Sequence, residues 1–180
     1  ESLQKIGQWP WSRDVLASLT DQTQLAAATA FDIVFAEPDR TGSSQLQKIY
    51  SNDEALVEIL SRTVDHDDVF AQSIANHGTV VLGLAPNNKT ENQNYLEKHG
   101  MVIQGDDPKL FVQPYIGMQN NLNILESESA GLGSMSIGND DVIVRTLPSF
   151  ENINGSLVPS LALEIVRVAI GASTYQVKSS

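Results

Sequence analysis

The apolar run Phe31-Asp32-Ile33-Val34-Phe35-Ala36 breaks into Glu37-Pro38-Asp39-Arg40. Aromatic and β-branched residues at this density predict a buried strand from Thr29 to Ala36, stopped by the proline. In an open α/β sheet, ligands settle at the ends of such strands. Alternation places Phe31, Ile33 and Phe35 on one face and Asp32, Val34 and Ala36 on the other. A carboxylate on a buried strand needs a donor, because burying it unpaired is very costly. Arg13 and Arg145 are the candidate donors, since the guanidinium fork fits a carboxylate. Arg13, Asp32 and Arg145 therefore form the expected structural network.

The remaining chain predicts an α/β fold: a mixed, largely parallel central sheet flanked by helices, with a β-hairpin near the C-terminal third. Ser12 reads as the N-cap of a helix reaching about Ala27, with Val15, Leu16, Leu19 and Thr23 as its stripe. Thr41 to Ser51 is polar and reads as a loop. A helix starting at Asp53-Glu54 presents Leu56, Ile59, Leu60 and Val64. Another starts at Asp65 to Asp68, turns Val69, Phe70 and Ile74 inward and ends at Gly78. Thr79 to Leu84 is a second buried strand, parallel to the first. Asn87 to Gln113 is the least regular part, and Asn120 to Glu128 could form a short helix. Gly133–Ile137 and Val142–Leu147 read as a hairpin around Gly138-Asn139-Asp140-Asp141. Pro159 to Gly171 is a helix whose stripe is Leu161, Ile165, Val168 and Ala169. Thr174 to Val177 is a last strand or the start of a linker.

The 180 residues fit one domain, with a core from about residue 9 to 171. Eleven basic against 22 acidic residues give a formal charge of -11, which disfavours nucleic acid and anionic membrane surfaces. No run approaches the roughly 20 apolar residues of a membrane-spanning helix. Glu1 follows no initiator Met or leader, which suggests a piece of something longer. There are no cysteines, and His66, His77 and His99 show no metal-ligand spacing. Asp65-His66-Asp67-Asp68 is better explained as a helix start than as a cation site. No Gly-x-Ser-x-Gly elbow occurs. No catalytic residue, metal or cofactor is expected. Asp32, Glu37 and Asp39 as a hydrolase set is the alternative, with one carboxyl protonated and another ionised. Asn88-Lys89-Thr90 and Asn154-Gly155-Ser156 are formal glycosylation sequons.

Trp9-Pro10-Trp11-Ser12-Arg13, Ala30 to Arg40, Asp68-Val69-Phe70-Ala71, Asp141 to Pro148 and Pro159 to Glu164 together resemble blocks of a known family. That family is the second type of CHASE domain, the extracellular sensory domains of bacterial cyclases and histidine kinases. The resemblance runs from about Trp9 to Gly171. One departure is Asp141-Val142 where the family often has Asp-Gly, which moves the expected turn back to Gly138-Asn139. The resemblance implies a periplasmic or extracellular sensor of a transmembrane receptor, tied to the membrane only by flanking segments. Its output would be an adenylate or diguanylate cyclase, a histidine kinase of a two-component system or a Ser/Thr kinase. A small ligand or ion is the expected input, with a homodimer in the full-length receptor. Trp9, Trp11, Glu37, Asp39 and Arg40 are the expected ligand contacts. The runner-up role is a module that only dimerises its receptor.

Overall fold

The computed structural model describes residues 4, 6–90, 92–136 and 147–179. Helix α1 (Arg13–Gln22) precedes β1 (Thr29–Phe31), and α2 (Ser43–Ile49), α3 (Glu54–Ser61) and α4 (His66–His77) lead to β2 (Val80–Asn87). The chain continues through β3 (Gly100–Gly105), β4 (Pro114–Tyr115), β5 (Gly117–Gln119), α5 (Asn123–Glu128) and β6 (Gly131–Ser134). It closes with β7 (Phe150–Ile153), β8 (Ser156–Pro159), α6 (Leu161–Ala169) and β9 (Thr174–Ser179).

Strand β2 is the hub. It runs parallel to β1, with Thr29 opposite Val80, and parallel to β6, with Val81 opposite Gly131. Its far end pairs antiparallel with β5. A strand paired on both edges and covered by helices has no face to give to water, so Val80 to Leu84 is apolar or glycine throughout and fully buried. Helix α6 lies against β2 and β6, while α1 packs on α4 and α4 on α5. The expected mixed, largely parallel sheet with flanking helices is what the chain forms. Two smaller assemblies surround it: the parallel ribbon β3–β9 and the sheet β4-β7-β8. The core centres on Phe31, Phe35 and Phe70, whose rings meet edge to face at centroid distances of 5.3–5.6 Å. Such aromatic pairs add about 1 kcal/mol each beyond their burial.

The differences from the sequence reading have identifiable causes. The first strand stops at Phe31 instead of Ala36, because residues 121 and 122 capture Phe35 and draw the chain off the sheet edge. The predicted loop after Thr41 contains α2. Its N-terminus is capped from a distance: Ser44 N–H and Ser43 Oγ donate to Asp65 Oδ2 at 2.7 and 3.2 Å. A Cβ at Gly42 would lie 2.8 Å from Asp65 Oδ1, so the approach needs glycine. Helix α1 ends at Gln22 and buries Leu16, Ala17 and Thr20, leaving Leu19 exposed. Helix α3 forms behind its Asp53 cap but buries none of its residues, and Ile59 and Val64 face solvent. Val69 of α4 is also exposed, whereas Phe70 and Ile74 are buried as expected. Helix α6 starts at Leu161 behind Ser160, since Pro159 completes β8, and its buried face is Glu164, Arg167 and Val168. The C-terminal segment is a strand, β9, paired with β3 inside the region read as irregular.

The hairpin near the C-terminal third is β7–β8, with Ile153 opposite Ser156. Its two turn residues, Asn154 and Gly155, have φ of 47° and 85°. That is the positive-φ Asn-Gly pair favoured by two-residue hairpins, in the triplet read only as a sequon. Of the hairpin placed around Gly138–Asp141, Gly133 and Ser134 belong to parallel β6, and residues 137–146 lie outside the described residues.

Candidate functional site

Beyond Phe31 the chain is held by amide chemistry. Phe35 N–H donates to Asn121 Oδ1 at 2.8 Å, Leu122 N–H donates to Phe35 O at 2.8 Å, and Asn121 Nδ2 anchors to Gly83 O at 2.9 Å. This hook carries Ala36 to Thr41 across the N-terminus of α1. A cleft of 330 Å³ opens there, lined by Trp11, Arg13, Glu37, Asp39 and Arg40 among others.

Asp39 organises the cleft. Its carboxylate is buried, accepts from Arg13 N–H at 2.6 Å and from Thr41 N–H and Oγ1 at 2.9 Å, and lies 3.4 Å from His66 Nδ1. Burial opposes its ionisation, but these donors and His66 outweigh burial and hold the carboxyl below the usual range. Its own N–H donates to Asp67 Oδ2 at 2.9 Å. Arg13 places its guanidinium 4.5 Å over the Phe35 ring and donates from Nη2 to Glu37 O at 3.3 Å. Arg13 Nε and Asp67 Oδ1 face each other at 3.5 Å, too far for a good hydrogen bond. Both atoms are buried with no hydrogen-bond partner among the described residues. Burial pulls the Arg13 pKa down and pushes the Asp67 carboxyl up, each resisted by the other's charge.

The structure thus brings Trp11, Arg13, Glu37, Asp39 and Arg40 together. Trp9 stands half exposed beside them, its ring edge-on to Trp11 at 5.8 Å, and lines an adjoining apolar cavity of 350 Å³. Asp32 requires a correction. It is exposed and lines that second cavity, not the Arg13 cleft, because the strand expected to bury it ends at Phe31. Arg13 is paired instead with Asp67, and Arg145 lies outside the described residues.

Sequence reasoning missed Thr41, which lines the cleft, and His66 and Asp67, which contact Asp39. The Asp65–Asp68 run was visible, but acidic residues at a helix start ordinarily answer the dipole. Here Asp65 does cap α4, accepting from Asp67 N–H at 3.0 Å, while Asp67 accepts from Asp39 N–H and faces Arg13. A second buried network also escaped notice. Arg167 donates from Nε and Nη2 to Glu164 at 2.9 and 2.6 Å, and to the carbonyls of Ala172 and Ala130 at 2.6 and 3.0 Å. Tyr175 Oη donates to the same carboxylate at 2.6 Å, joining β9 to α6.

Among the described residues, no group of three or more His, Cys, Asp or Glu is placed to hold a metal ion, and no helix is long and apolar enough to cross a membrane. A protein-family model described as the CHASE2 domain matches residues 1–179. No curated protein and no solved structure matches the chain.

Proposed function

The chain belongs to the CHASE2 family of extracellular sensory domains, found in receptors with cyclase or kinase outputs, and from that premise we propose that it is the periplasmic ligand-sensing domain of a bacterial transmembrane receptor. Its input is a small polar ligand or ion that enters the cleft beyond β1. Trp11 offers a ring for stacking, Arg40 and Glu37 stand at the exposed rim, and Asp39 with Arg13 supplies the frame. The observation that carries this reading is the cleft itself, 330 Å³ lined by Trp11, Glu37 and Arg40 over the Arg13–Asp39 frame, with an incomplete Arg13–Asp67 contact buried behind it. Buried polar atoms are almost always satisfied, so that gap marks a contact which a small shift of Arg13 would complete. A ligand in the cleft that favours one arrangement of Arg13 over the other biases the equilibrium between the two. Flanking membrane segments then pass that bias to the cytoplasmic output. The tight engagement of Asp39 by three donors favours a frame over catalysis.

A thermal-shift screen of the domain against metabolites, nucleotides and divalent cations tests this. A ligand at 100 times its Kd adds about 2.7 kcal/mol, readily visible in a domain of this size. The expected hit is lost in Glu37→Ala or Arg40→Ala. A flat screen, or a hit indifferent to both changes, would remove the cleft as the sensing site and leave a protein partner or dimerisation as the input.

A further inference from the structure

Ala36 also lines a third, larger cavity of 720 Å³ whose other wall is built from carboxamides: Asn92, Gln93, Asn94, Gln119, Asn120 and Asn123. The backbone carrying them is pinned. Met118 N–H donates to Asn92 O at 2.9 Å, Asn154 Nδ2 to Gln93 O at 3.4 Å, and Asn120 Nδ2 to Asn94 O at 3.2 Å. The amide side chains are not used in the same way. Asn120 Oδ1 is buried with no partner among the described residues. No hydrogen bond among those residues engages the side chains of Asn92, Gln93, Asn94, Gln119 or Asn123. Asn121, which faces the same space, is by contrast fully committed to Phe35, Gly83 and Glu126.

We propose that this cavity is a binding site for a neutral polyhydroxylated molecule, of the size of a mono- or disaccharide. Each carboxamide offers an acceptor and two donors, the complement of adjacent hydroxyls that both give and accept. The volume lies within the roughly 300–1,000 Å³ of small-molecule sites. Tyr95, Leu122 and Ala36 add apolar surface for the C–H face of a ring. Charge excludes other classes. Among the described lining residues Glu126 is the only carboxylic acid and none is arginine, lysine or histidine. Lys98 stands beside them with its ammonium already donating to Ser127 O at 2.9 Å, so an anion finds no free counter-charge in the lining. Glu126 is itself buried and occupied by Asn121, which leaves a cation little to hold. The site also reaches the segment between the two cavities. Asn120 and Asn121 are adjacent, and Asn121 holds Phe35 next to the shared Ala36.

Side-chain amide resonances of the labelled domain, titrated with glucose, maltose and trehalose and separately with glutamate and citrate, decide the matter. Probes taken to about 10 mM would nearly saturate a site with Kd near 1 mM. At least one sugar should give saturable shifts of the Gln119 and Asn120 carboxamides. Its affinity should fall about tenfold in the Asn94→Ala/Gln119→Ala double variant, the scale expected for two lost hydrogen bonds, with the melting temperature unchanged. Arg40→Ala, which tests the other cleft, should leave the titration unaltered. Absence of saturable shifts with all three sugars, equal affinity in the double variant, or saturation by glutamate or citrate instead would each overturn the proposal.

Discussion

Glu164–Arg167 and Arg13–Asp67 are both arginine–carboxylate pairs taken largely out of water, and they have been completed to different degrees. In the first, two short donor contacts, two backbone carbonyls and the Tyr175 hydroxyl use the guanidinium and the carboxylate together. The hydrogen bond to Glu164 raises the Arg167 pKa despite burial, so the guanidinium is held charged. In the second, burial dominates: it lowers Arg13 and raises Asp67, and their facing atoms stop at 3.5 Å. A completed pair fastens elements, here α6, β6 and β9. An incomplete one buried behind a cleft leaves its geometry open to adjustment. That contrast separates a structural network from a candidate sensing site better than charge alone.

The largest test strikes the completed pair. Arg167→Ala strands Glu164, which is fully buried, and should cost about 3–5 kcal/mol in urea unfolding. A loss near 1 kcal/mol would erase the distinction between the networks. Next comes the pH dependence of the cleft. Because donors hold the Asp39 carboxyl below its ordinary value, its stabilisation is present above the unfolded value and disappears as pH falls through the folded one. Asp39→Asn should therefore cost about 1–2 kcal/mol at pH 7, and the gap from the parent should close on acidification below about 4. A gap independent of pH would mean the charge is not what the donors recognise. The smallest effect belongs to Asp67→Asn, at under about 1 kcal/mol near neutral pH. The amide oxygen can still accept from Asp39 N–H, and the removed charge is one that burial disfavours, whose cost grows as pH rises through its raised pKa. A cost matching Arg167→Ala would show that the Arg13–Asp67 pair is as structural as the other.

Much of the frame was legible because its signals are local. Val80 to Leu84 announces a doubly covered strand, Asp53 and Asp65 cap the helices that follow them, and Gly78 ends α4 with a φ of 73°. The cleft itself was found where the apolar run breaks, with Trp11, Glu37, Asp39 and Arg40 at its wall. What failed were the inferences that needed a side-chain partner distant in sequence. Asp32 was expected inside, yet it is exposed because Asn121, 86 residues from Phe35, ends the strand early. Helix α2 looked like a loop because its cap, Asp65, arrives from beyond α3. Arg167 drew no attention on α6, since nothing near it announces the carbonyls of Ala130 and Ala172 or the Tyr175 hydroxyl.

The sequence by itself determined the capped helices, the two apolar strands with their parallel pairing, and the family, since periodicity, caps and spaced motifs act over a few residues. Only the tertiary structure decided which charges are buried and with whom. A carboxylate's cost or value depends on the donors and the water around it, and those are supplied by segments that meet only when the chain has folded.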